Sequence, residues 1–208
     1  MDCIIGVDFD NTLISYDDLM HSVATQQGLI DPATRKSKKE IRDKIRQLPD
    51  GEIQWRKLQA LVYGVRIGKA GLIDGVKGFF EYCHRHRVRV YIISHKTEFA
   101  NFDETGTNLR RAALDWMMRN KFFEGNGLGL LREDVYFEST RCAKIERIRD
   151  LRCTHFIDDL EETFLEDSFP AHVEKILYDP HTEHRSLPGV KVVRTWEEIH
   201  RYFFNARS

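Results

Sequence analysis

The sequence predicts an α/β domain on a mainly parallel sheet with a small helical insert, and three observations lead there. Short apolar runs recur along the chain, at Cys3–Val7, Val88–Ile93, Val135–Phe137, Thr154–Ile157, Lys175–Leu177 and Lys191–Val193. Amphipathic stretches lie between most of them, and strands that alternate with helices build parallel sheets. From about Ser15 to Gly71 the alternation stops, leaving helix signals and no strand run.

Each element follows from its local pattern. Cys3-Ile4-Ile5-Gly6-Val7 reads as a buried strand. Inside the insert, Ser37-Lys-Lys-Glu40 is a capping box, whose serine hydroxyl satisfies an orphan N–H of the first turn. Trp55, Leu58, Leu61, Val62 and Val65 then form an apolar stripe at helical spacing. Gly28, Pro32, Pro49-Asp50-Gly51 and Gly68 to Gly71 punctuate the insert. Beyond it, Val76, Phe79, Phe80 and Cys83 repeat at helical intervals, as do Leu109, Ala112, Ala113, Trp116 and Met117, and then Ile145, Ile148 and Leu151. These are read as helices between the strands. Thr195 with Glu198 is a second capping box and opens a final helix.

Composition excludes several classes. Lysine and arginine total 32 against 33 acidic residues, so no charge excess points to nucleic acid or to a membrane surface. No apolar run approaches the roughly 20 residues that span a bilayer. The basic run from Arg35 to Arg46 is interleaved with Glu40 and Asp43 and reads as a solvated helix face. Cys3, Cys83, Cys142 and Cys153 form no CxxC pair and read as reduced thiols. Met1-Asp2-Cys3-Ile4 has no basic start or apolar core of a signal peptide. A cytoplasmic monomer or homodimer is expected, with no nucleic-acid or membrane partner.

The chemistry gathers at the ends of the apolar runs. In Gly6-Val7-Asp8-Phe9-Asp10, residues two apart on an extended strand face the same side, so Asp8 and Asp10 point together while Phe9 turns to the core. Two carboxylates at the end of a buried strand repel each other and are costly to desolvate, which calls for a compensating cation. A lone aspartate there reads as a turn cap; a pair does not. Ser94 follows Tyr91-Ile92-Ile93 and offers a hydroxyl that binds a phosphate oxygen without adding charge. Asp158-Asp159 follows the run ending at Ile157, and carboxylates from two strand ends give the all-oxygen shell that suits Mg²⁺. Lys144 lies 14 residues before Asp158, near the start of the helix leading into that strand.

Asp8-Phe-Asp10-Asn-Thr12, Ser94, Lys144 and Asp158-Asp159, in that order over residues 8 to 159, resemble the four motifs of the haloacid dehalogenase-like (HAD) hydrolase superfamily. The resemblance implies a Rossmann-like three-layer sandwich, Mg²⁺, and a helical C1-type cap where the insert lies. The core is then residues 1–14 and 72–208, and the cap residues 15–71. Asp8 is implied as the nucleophile on phosphorus. Asp10 is implied as the acid toward the leaving oxygen and then the base toward water, with its backbone carbonyl a metal ligand. Ser94 and Lys144 hold the phosphoryl oxygens, with Lys96 and Arg141 as alternatives for the motif lysine. Thr12, Ser15, Tyr16, His95 and Lys96 are expected on the substrate side, Thr12 orienting Asp10 or the surroundings of the nucleophile. The metal rests among Asp8, Asp10, Asp158 and Asp159, with Asp159 favoured over Asp158 as the direct ligand.

The activity so implied is a Mg²⁺-dependent phosphomonoesterase acting through an aspartyl-phosphate on a small sugar, polyol, amino-alcohol or nucleotide phosphate. A phosphomutase or phosphotransferase of the same superfamily keeps the same core residues and stays open. A catalytically idle HAD-like binding module is the rival from another class, and the intact Asp8, Asp10, Ser94 and Asp159 count against it. Dehalogenation is disfavoured, because Asp10 supplies an acid that a dehalogenase does not use.

Overall fold

The computed structural model describes residues 3–103, 105–183 and 187–204. In chain order the elements are β1 (Ile4–Val7), β2 (Ile14–Ser15), α1 (Asp17–Gln26), α2 (Lys38–Ile45), α3 (Gly51–Tyr63), β3 (Gly71–Leu72), α4 (Val76–Arg85), β4 (Arg89–His95), α5 (Leu109–Arg119), β5 (Val135–Glu138), α6 (Arg141–Asp150), β6 (His155–Asp158), α7 (Glu161–Phe164), β7 (Glu174–Tyr178), β8 (Val190–Val193) and α8 (Trp196–Phe204). They fall into two compact units. One comprises Met1–Leu13, Leu72–Lys96 and Asn120–Ser208; the other comprises Ile14–Gly71 and Thr97–Arg119.

The first unit is an α/β Rossmann-like fold. Its six strands run in the order β5-β4-β1-β6-β7-β8, and each neighbouring pair is parallel. All six apolar runs of the sequence became these strands. The chain steps from β1 to β4 on one side and later to β6 on the other, so the strand order reverses at β1. Open α/β sheets bind their ligands at such a switch point, beyond the carboxyl ends of the strands. Ile93, Ile145, Ile148, Cys153, Phe156, Phe164, Phe169, Val173 and Leu177 form one buried cluster around α6 and the sheet. A second apolar layer joins Phe79 of α4 to Trp196 of α8, with ring centroids 5.1 Å apart. The hydroxyl half of the expected capping box of α8 forms, with Thr195 accepting from the Glu198 N–H, while the Glu198 carboxylate accepts from the N–H of Arg194, one residue before the cap.

The second unit is helical. Ser37 caps α2 by accepting from the Glu40 N–H. Trp55, Leu58 and Val62 of the expected stripe are buried, but Val65 is exposed because α3 ends at Tyr63. The Tyr16 and Tyr63 rings meet edge to face at 4.6 Å, and the Trp116 indole N–H donates to the Ala70 carbonyl. Helix α5 belongs to this unit, although its spacing placed it between sheet strands. Periodicity shows that Leu109, Ala113, Trp116 and Met117 are buried, not which surface buries them. The reading of no strand between Ser15 and Gly71 is corrected at its two ends, where β2 and β3 form a two-stranded sheet. Two-residue strands are too short to carry an alternation. Among the described residues, no helix is long and apolar enough to cross a membrane.

Gly6 is the tightest point of the central strand. A Cβ there would lie 2.6 Å from the Phe156 ring and 3.1 Å from the Cys153 sulfur, both fully buried. Gly6→Ala should therefore lower the unfolding free energy by about 1–3 kcal/mol through overpacking, read by urea denaturation. An unchanged midpoint would show that the Phe156 ring has room to retreat.

Candidate active site

Strand β1 ends at Val7, and the Asp8 N–H continues its ladder by donating to the Ile157 carbonyl at 2.9 Å. Phe9 is fully buried and meets Phe137 edge to face. Asn11 adopts a left-handed backbone (φ 57°), which asparagine tolerates better than most residues, and the Leu13 N–H closes the turn on the Phe9 carbonyl. This sharp turn leaves Asp8 and Asp10 at the carboxyl edge of the sheet. Each meets a different lysine ammonium.

Lys144, in the first turn of α6, is wholly buried. Thr140 fixes the start of that helix by accepting from the Ala143 N–H. The Lys144 ammonium donates to Asp8 Oδ1 at 2.6 Å and to Asp158 Oδ2 at 2.7 Å, and lies 5.3 Å from the centre of the Phe156 ring. Burial alone would lower the lysine's pKa, but Asp158 and Asp8 outweigh it and hold it above the ordinary value. The other oxygen of Asp158 accepts from the Leu160 N–H at 3.1 Å. Arg141, the rival on the same helix, pairs instead with Glu166.

Strand β4 delivers Ser94, His95 and Lys96. Ser94 is buried, and its Oγ has no hydrogen-bond partner among the described residues. His95 is exposed and its Nε2 meets the Ser139 carbonyl at 3.1 Å. Lys96 is buried, and its ammonium donates to both oxygens of Asp10, at 2.8 and 3.1 Å. The sequence reading missed this pair. Its signal lies in the β1–β4 register, which aligns Val7 with Ile92 and so brings the two strand ends level.

Carboxylate oxygens of Asp8, Asp158 and Asp159 all lie within 4.8 Å of one another, an arrangement able to hold a metal ion. The Thr12 hydroxyl makes a long contact of 3.5 Å to Asp159, while its carbonyl accepts from the Trp196 indole. The donor set is all hard oxygen, which fits a small divalent cation. Asp8, Asp10, Asp158 and Asp159 face two ammonium groups, Lys96 and Lys144. Neighbouring carboxylates repel one another when ionised, and Asp8 registers this. Burial pushes its carboxyl up to about 7; Lys144 opposes this, and Asp158 and Asp10 add to it.

Ser15 and Tyr16 belong to the helical unit, Ser15 half-buried in β2 and Tyr16 fully buried against Tyr63. A separate cleft of about 440 Å³, lined by Phe80, His84, Arg89 and Leu130 among others, opens at the amino-terminal end of β4, away from the carboxylates.

No family model matches the chain, and no curated protein matches it by sequence. Solved structures do. A HAD hydrolase of family IA, variant 3, from Entamoeba histolytica superposes with a TM-score of 0.58 at 13% identity, covering 95% of each chain. A HAD family hydrolase from Deinococcus radiodurans, with bound phosphate and sodium, gives 0.56 at 14% identity over 99% of this chain and 96% of that one. CbbY from Rhodobacter sphaeroides, in complex with phosphate, gives 0.51 at 14% identity over 96% of each chain. The chain has the fold of the HAD hydrolases.

The raised pKa of Asp8 is also a statement about stability. The unfolded carboxyl ionises near 3.8 and the folded one near 7, so folding disfavours the carboxylate. The penalty is absent below about pH 4, grows through the interval and is complete above about pH 7. In divalent-free buffer, Asp8→Asn should raise Tm by a few degrees at about pH 8, and by less at about pH 5, in differential scanning fluorimetry. A lower Tm at the higher pH would mean that the Lys144 pair outweighs the burial cost.

Proposed function

We propose that the protein is a phosphomonoesterase of the HAD type, acting on a small phosphorylated metabolite through an aspartyl-phosphate formed on Asp8. The observation that carries this reading is one sheet edge bearing a carboxylate oriented by a buried lysine, a carboxylate triad able to hold a cation, and the buried hydroxyl of Ser94, unpartnered among the described residues. A scaffold or binding module has no use for clustered acids that cost stability. The phosphate bound to the Deinococcus and Rhodobacter proteins supports the same reading.

Asp8 directs a carboxylate oxygen at phosphorus, and Asp158 anchors the Lys144 ammonium that orients it. Lys144 and the Ser94 hydroxyl hold the equatorial oxygens as negative charge spreads over them. Asp10 gives a proton to the leaving oxygen and later takes one from the water that hydrolyses the aspartyl-phosphate. Asp8, Asp158, Asp159 and the Asp10 carbonyl would hold Mg²⁺, which when bound neutralises charge on the phosphoryl group. Sugar, polyol, amino-alcohol and nucleotide phosphates are the substrate classes in view.

The test is phosphate release across a panel of small phosphomonoesters. Release should require Mg²⁺, stop with EDTA and return on readdition. Asp8→Asn should abolish it while keeping the far-ultraviolet circular dichroism of the wild type. Silence across the whole panel, or Asp8→Asn within a few-fold of wild type, overturns the proposal. Lys144→Met should lower kcat by about 100-fold on every ester that is turned over, because it removes charge stabilisation common to all of them. A loss confined to one substrate would mark Lys144 as a recognition residue.

A further inference from the structure

We infer that Lys96 is the positioning residue for Asp10, and that it sets how well the protein expels a poor leaving group; the inference rests on the phosphatase reading above. Lysine is among the residues least often fully buried, and Lys96 is 3% exposed. Its placement is specific. The Lys96 N–H donates to the Glu138 carbonyl at 2.8 Å, which ties the strand end to β5. Its ammonium lies 5.7 Å from the centre of the buried Phe9 ring and grips both oxygens of Asp10, at 2.8 and 3.1 Å. A carboxylate held on both oxygens by one buried donor has a fixed plane.

The second lysine of the site is committed elsewhere, to Asp8 and Asp158. The two cations therefore divide the acids, Lys144 orienting the attacking carboxylate and Lys96 the carboxylate that handles protons. The step that depends on Lys96 balances simply. As the Asp8 oxygen bonds to phosphorus, the bond from phosphorus to the leaving oxygen breaks, and the proton on Asp10 passes to that oxygen. For the transfer Lys96 stays on one oxygen of Asp10 and releases the other, which carries the proton. Without Lys96 the carboxyl loses the donor that spans both its oxygens, and proton delivery is lost in proportion to how much the leaving group needs it. A lysine that only bound the phosphoryl group would affect every ester alike.

A series of substituted phenyl phosphates varies leaving-group basicity at nearly constant shape and separates these roles. Wild type and Lys96→Met are compared by kcat on p-nitrophenyl phosphate, which departs readily, and on phenyl phosphate, which departs poorly. The loss on phenyl phosphate should exceed that on p-nitrophenyl phosphate by about tenfold or more, within the usual range for general-acid catalysis. Lys96→Arg should recover part of the difference, because it restores a cation at Asp10. In an Asp10→Asn background, Lys96→Met should add little, since residues acting as one unit are non-additive. Equal losses on both esters, or full additivity with Asp10→Asn, overturn the role of Lys96 and leave the phosphatase reading standing. A wild type that hydrolyses no member of the series overturns that reading and the inference with it. Should Lys96→Met fail to fold, the same slope measured on Lys96→Arg decides: a slope equal to that of wild type with an equal loss on every ester counts against the inference.

Discussion

The Lys144 ammonium lying between Asp8 and Asp158 is the interaction on which the rest of the site depends. Stripped of both carboxylates, the Lys144 ammonium would carry the full cost of desolvation. The fold invests several elements in making it. Strand β1 pairs with β6, which sets Asp8 and Asp158 on neighbouring strand ends. The Thr140 cap starts α6 where its first turn brings Lys144 to the same edge. The Leu160 N–H occupies the remaining oxygen of Asp158, so that this carboxylate serves as an anchor.

A second cation answers a different need. Asp8 and Asp10 are two residues apart in the chain, yet each meets a different lysine, one from the start of α6 and one from the end of β4. In the proposed phosphatase reaction one carboxylate attacks and the other handles protons, and separate partners let neighbouring acids take such separate tasks. Burial raises the Asp8 carboxyl, and the neighbouring Asp158 and Asp10 charges add to it against the opposing pull of Lys144. A divalent ion held beside these carboxylates would relieve that repulsion.

The likeness to the Entamoeba, Deinococcus and Rhodobacter proteins lies at 13–14% identity and defines the fold. One fold supports many chemistries, so the activity is read from the side chains at the strand ends. Those side chains are of the kinds phosphoryl transfer needs: a positioned carboxylate, a buried hydroxyl, a fixed cation and a hard-oxygen triad.

The sequence by itself determined the six sheet strands, the capped starts of α2 and α8, and the order Asp8, Asp10, Ser94, Lys144, Asp158, Asp159. These are local properties: apolar runs, hydroxyl-to-carboxylate spacing at helix starts, and polar residues immediately after strands. Tertiary structure alone decided which acid each lysine meets, because Lys96 and Lys144 are equally plausible partners until β4 is placed beside β1 and α6 is packed across β4 and β5. It also decided that the buried face of α5 belongs with the helical unit, and that two residues at each end of the insert become strands. Contacts such as Asp10 with Lys96, 86 residues apart, depend on strand order and register. A pattern of period 2 or 3.6 reports which side of an element is buried, and carries no information about its neighbour.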